Sequence, residues 1–111
     1  MKSRSVTLRE TRDQSGVRKL GASLAADGTL TLEGWDLGDG VERIFGPGNR
    51  EYEWRWTIQP QEVPKLVIAL ASGDDVLAVL KHRFSDEAAG GLKRFLDEEG
   101  IPYKTWSRVG E

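Results

Sequence analysis

The chain has 111 residues and a mass of 12.4 kDa, the size of one domain that buries roughly two-thirds of its unfolded surface. Hydrophobic residues make up 38% and charged residues 31%, with thirteen Gly and four Pro spread along the chain, a composition that excludes disordered and fibrous classes and predicts a single soluble domain over residues 1–111. The absence of Cys excludes disulfides, thiolate metal clusters and a cysteine nucleophile, and the formal charge of -2 excludes a strong overall field for nucleic acid or an anionic membrane.

That charge is unevenly distributed. Residues 1–19 hold six bases against two acids, a net of +4, residues 20–80 hold four bases against ten acids, a net of -6, and residues 81–111 balance at six against six. A solvated surface explains most such patterns. The first residues, MKSRSVTLRE, contain no apolar signal core, and the longest apolar run, Leu66 to Ala71, is far shorter than a membrane span. The expectation is a cytoplasmic protein.

Ser5 to Arg12 alternates in period two and reads as a strand, closed by an Asp13-Gln14-Ser15-Gly16 turn. Val17 to Leu24 resumes the alternation, Asp27-Gly28 supplies a tight hairpin turn, and Leu30 and Leu32 begin a third strand. Gly34 interrupts this period. Trp35 falls opposite Leu30 and Leu32 unless the strand bulges at Gly34 and turns the indole inward. Asp39 then reads as the N-cap of a short helix, with Glu42 completing a capping box and Gly46-Pro47-Gly48-Asn49 ending it.

Arg50 to Ile58 has the clearest strand pattern, with Tyr52, Trp54, Trp56 and Ile58 on one face. Val63, Leu66, Val67 and Leu70 have helical spacing, with Pro64 in the first turn. Ser72-Gly73-Asp74-Asp75 breaks that helix and starts another, carrying Val76, Leu77, Leu80 and Phe84 inward. Ser85 reads as the cap of a third helix with Ala88, Leu92, Phe95 and Leu96 inside and Gly100 as a left-handed C-cap. Ile101 to Val109 is extended and closes the sheet. The predicted fold is α+β: a five-stranded, mainly antiparallel sheet in the order ββββ-ααα-β with the helices packed on one face.

The residue inventory restricts the chemistry. His82 is the lone histidine, set in Lys81-His82-Arg83 on a polar helix face without converging partners. Asp36, Asp39 and Glu42 cluster in sequence but lack the spacing of a calcium loop, and helix capping accounts for the last two, leaving Asp36 without a task. No phosphate-binding glycine loop occurs, no metal-ligand spacing is found, and no cofactor is expected. Gly90-Gly91 means either that the third helix begins near Gly91 or that a neighbouring backbone approaches closely; in the first case Gly91, Lys93 and Arg94 form a candidate anion site. Trp54 and Trp56 belong to the core. Trp35 and Trp106, the latter flanked by Lys104 and Arg108, would place aromatics and charges together on an open sheet face, and with Asp36 they are the candidate partner-binding residues.

The pattern Leu24-x-x-Asp27-Gly28-x-Leu30-x-Leu32-Glu33-Gly34-x-Asp36-Leu37-Gly38, then Glu51-Tyr52-Glu53-Trp54 and Val76-Leu77-x-x-Leu80, resembles a group of small uncharacterised bacterial proteins, frequent in actinobacteria. The resemblance spans most of residues 20–106. It implies a soluble bacterial protein and, because that group has no established activity, transfers no functional residue. The sequence therefore favours a non-enzymatic interaction module, immunity- or antitoxin-like in class, that binds a protein partner or forms a homodimer through the open sheet face or an edge strand. Nucleic-acid binding by the basic hairpin with a stacking Trp is the alternative, and small-molecule binding the third. No membrane partner is expected.

Overall fold

The period-two segments pair in the order in which they occur. The computed structural model describes residues 3–71 and 75–110, so Ser72, Gly73 and Asp74 of the expected helix break lie outside the described residues. Strands β1 (Arg4–Asp13), β2 (Gly16–Leu24), β3 (Leu30–Leu37), β4 (Glu51–Ile58) and β5 (Lys104–Gly110) form one open, wholly antiparallel meander in the order β1-β2-β3-β4-β5. Helices α1 (Asp39–Phe45), α2 (Val63–Leu70), α3 (Val76–Arg83) and α4 (Leu92–Glu98) complete the α+β fold, with 3-10 turns over Pro60–Glu62 and Asp86–Gly91.

The core lies between the sheet and α2 to α4. Leu8, Leu20, Leu30, Leu32 and Ile58 from the sheet meet Leu66, Leu77, Leu80, Leu92 and Leu96, each at most 2% exposed. Trp54 and Trp56 pack against this core half-buried, their rings 4.3 Å apart, whereas Tyr52 leaves it to pair with Phe45 of α1 at 5.1 Å. Tyr52 keeps the face it was expected to share with Trp54 and Trp56 but not the place in the main core that this face implied: α1 gathers a separate apolar group with it.

One local alternative is decided and two expectations change. The register across Gly34 is unbroken, so Trp35 stays on the face opposite Leu32, and the bulge falls in β1 between Thr7 and Arg9. Gly34 instead makes room for its cross-strand neighbour Trp54, whose ring lies where a Cβ would stand. Gly38, not Asp39, occupies the N-cap of α1, because Gly16 and Gly38 let the β1–β2 turn press against the β3–α1 junction, where the Gly40 N–H donates to the Ser15 carbonyl at 2.9 Å. The carboxylates of Asp39 and Glu42 are engaged by Arg50, at 2.8 and 3.4 Å. Ser85 makes no side-chain cap, and the segment after it winds as a 3-10 turn up to Gly91 before α4 starts at Leu92. At the far end of α4, Gly100 (φ +67°) permits the left-handed turn expected there, with Ile101 N–H donating to the Leu96 carbonyl at 2.9 Å.

Candidate functional site

Because opposite residues in an antiparallel pair share a face, the register places Trp35, Lys104, Trp106 and Arg108 together on the side of the sheet without helices. Trp106 is 44% exposed, and the guanidinium of Arg55, its partner on β4, lies 4.9 Å from the indole centroid while reaching Glu33 at 3.4 Å. Trp35 is half-buried and donates its indole N–H to Glu51 Oε1 at 3.0 Å. Arg108 bridges Glu51 at 3.0 Å and Glu53 at 3.1 Å. The Trp35 hydrogen bond, assisted by Arg108, holds the Glu51 carboxyl below its ordinary value. Between the two indoles lies a depression of about 360 Å³, lined in part by Gly21 and Gly34.

The cations of this face are mostly matched by their own neighbours. The same holds along the basic hairpin, where Arg4 pairs with Asp75 at 2.6 Å and Glu10 lies 3.6 Å from Arg12 and 3.7 Å from Lys19. Arg55, Glu51 and Glu53, which tie the two indoles into the surface, escaped the sequence reading. Their only signal was period-two alternation opposite the aromatic face of β4, a position equally suited to a solvated residue.

The structure does not bring Asp36 to this face. Its row runs Arg18, Asp36, Tyr52, Val109 across β2 to β5 on the helix side, where α1 and the sheet enclose a cleft of about 460 Å³. Burial pushes the Asp36 carboxyl above the ordinary aspartate range, opposed by the charges of Arg18 and Arg9, and no hydrogen bond among the described residues stabilises its charged form. Groups around it are Arg18 from β2, Arg9 from β1, Tyr52 from β4 and Arg43 from α1. A carboxyl whose folded pKa exceeds its unfolded one binds a proton more tightly in the native state. Its stabilisation is complete below the unfolded value and is lost as pH rises through the folded value. Asp36→Asn is therefore expected to melt at a higher temperature than the natural chain at pH 7, with the difference closing below about pH 4. Thermal unfolding followed across pH checks this, and a lower melting temperature at pH 7 would contradict it.

The candidate anion residues are placed in a different setting. Gly91 ends the 3-10 turn, so the Leu92 N–H already donates to the Ala89 carbonyl. Lys93 pairs with Asp97 at 3.0 Å and Arg94 with Glu98 at 2.7 Å. Hydrogen bonds from Tyr103, at 2.6 Å, and from Lys93 hold Asp97 below its ordinary value. His82 is exposed on α3. Among the described residues, no group of three His, Asp or Glu side chains is arranged to hold a metal ion, and no helix is long and apolar enough to cross a membrane. Compared with known protein families, with curated proteins and with solved structures, the chain matches none.

Proposed function

We propose that this protein is a non-enzymatic interaction module that associates through its β5 edge and the adjoining open face, with a second copy of the chain as the occupant. The contrast between the two sheet edges carries this reading. On β1 the pairing row is interrupted by the bulge between Thr7 and Arg9, the Lys81 ammonium hydrogen-bonds the Thr7 carbonyl, and α3 lies alongside. These are the devices that keep an edge from pairing. On β5 seven residues run in regular register with β4, without bulge or proline, and all but Gly110 are exposed. Alternate backbone groups of such an edge face outward and accept another strand.

The side chains favour an antiparallel, two-fold pairing centred on Ser107. In that register each Trp106 meets the partner's Arg108 on the open face, a cation–π arrangement, and each Lys104 meets the partner's Gly110, where no like charge opposes it. Centred on Trp106, the same strands would set Lys104 against Arg108. The internal ion pairs of the open face leave little unmatched positive charge for tracking a phosphate backbone, which weighs against the nucleic-acid reading.

Light scattering across a concentration series is expected to show a monomer–dimer equilibrium. Ser107→Lys sets two cations opposite each other at the centre, a cost of roughly 1 kcal/mol or about a fivefold weaker association, and Ser107→Glu does the same with two anions. Mixing the two variants is expected to restore the dimer. A natural chain that stays monomeric throughout, or a Ser107→Lys variant that dimerises undiminished, overturns the reading.

A further inference from the structure

The cleft beneath α1 is independent of the β5 edge and combines three features that a folded chain has no structural need to combine. Its volume, about 460 Å³, lies in the range of small-molecule sites. One wall is apolar and partly open to water: Ile44 is 73% and Phe45 42% exposed, and Phe45 stacks on Tyr52. Exposed apolar groups beside a concavity are a recurrent mark of recognition.

Its floor carries two opposite charges that do not touch. Asp36 and Arg18 are direct cross-strand partners on β3 and β2, yet no ion pair within 4.0 Å joins them, and neither has an ion-pair partner among the described residues. The other charged side chains of the cleft are already employed. Asp13 accepts a hydrogen bond from the Ser15 N–H at 2.7 Å, and Arg43 donates to the Ser15 hydroxyl, tying α1 to the β1–β2 turn. What remains in the cleft is Asp36 with its cross-strand partner Arg18 beside an apolar wall, and Arg9 on β1, outside the cleft lining, adds a second cation that acts on Asp36.

We propose that this cleft binds a zwitterionic small molecule, an α-amino acid with an apolar side chain: its ammonium meets Asp36, its carboxylate meets Arg18, and its side chain lies against Phe45 and Ile44. A ligand that carries both an ammonium and a carboxylate answers each of these cross-strand charges with its opposite. A simple carboxylic acid would bring its charge close to Asp36, and a simple amine would leave Arg18 unanswered. The ligand's two charges would be recognised by charge-assisted hydrogen bonds, each strong enough to matter separately.

L-leucine is the probe, titrated into the full chain while backbone amide resonances are followed by NMR. Saturable shifts are expected at Asp36, Arg18 and Phe45. The amine analogue, 3-methylbutylamine, and the acid analogue, 4-methylpentanoate, are each expected to bind at least about tenfold more weakly, as is leucine to Asp36→Asn or Arg18→Gln, since losing one charge-assisted hydrogen bond costs about that factor. Unfolding curves of both variants separate lost binding from lost fold. No saturable shift with leucine, equal binding of leucine and either analogue, or undiminished binding by both folded variants overturns the proposal.

Discussion

Gly34→Ala is expected to destabilise the protein by about 3 kcal/mol, the upper part of the range for forcing extra volume into a packed site. A Cβ at this position would stand 1.8 Å from Trp54 Cε2 and 2.2 Å from its Nε1. Those atoms belong to a rigid bicyclic ring that also stacks on Trp56, so relief requires the whole indole to swing away from the sheet. Trp56 in turn lies 5.6 Å from Tyr103, and the displacement would disturb the aromatic row along β4. For a domain of this size 1 kcal/mol corresponds to about 4 °C, so thermal unfolding should show a loss of about 12 °C, accompanied by a changed tryptophan emission spectrum. A melting temperature within about 2 °C of the natural chain would mean that the indole does not rest on Gly34.

Leu66→Ala is expected to cost about 3 kcal/mol as well, through lost transfer energy and the cavity left behind. Leu66 is fully buried in the main core. Ile68, two residues along the same helix, is 77% exposed, and Ile68→Ala should change stability by no more than about 0.5 kcal/mol. The two substitutions remove aliphatic side chains from one short helix, so helix propensity changes little between them. Denaturant titration of both variants tests the packing directly. Equal costs would show that α2 does not present Leu66 to the sheet.

Much of this fold was legible along the chain because its signals are local. Val17 to Leu24 and Glu51 to Ile58 alternate, and Leu66 and Leu70 share the buried side of α2. The β2–β3 hairpin falls where Asp27-Gly28 marked it, but its turn runs from Ala25 to Gly28, Gly28 N–H donating to the Ala25 carbonyl at 3.0 Å, with Gly28 alone of the pair at positive φ. Gly100 required no tertiary knowledge, since its left-handed turn follows from the end of the helix before it. The bulge was harder. Gly34 offered an apparent reason for one, but a missing side chain can also make room for a neighbour, and only the cross-strand position of Trp54 distinguishes the two. The actual bulge in β1 has no glycine to mark it.

The candidate sites divide along the same line. Trp35, Lys104, Trp106 and Arg108 share the open face because alternation sets each residue's side of its strand and the meander then aligns the strands. Asp36 could be assigned to the other face once Trp35 was fixed, since neighbours along a strand point in opposite directions. Its position in a cleft beside Arg18 could not be read this way. That depends on where α1 folds back, which the contact of Gly16 with Gly38 and the stacking of Phe45 on Tyr52 decide.

Although it started the last helix at Ser85, six residues or so before α4 begins at Leu92, the amino-acid sequence sufficed for the five strands, for the places of α1 to α3 and the layer arrangement, and for excluding cysteine chemistry. Those features depend on periodicity and composition, which are properties of neighbours in the chain. The tertiary structure alone decided that β1 is a guarded edge and β5 a bare one, that the cations of the open face are matched by nearby carboxylates, and that Asp36 sits in a cleft without a hydrogen-bond partner among the described residues. Each of these depends on which residues distant in sequence come within a few ångströms of one another.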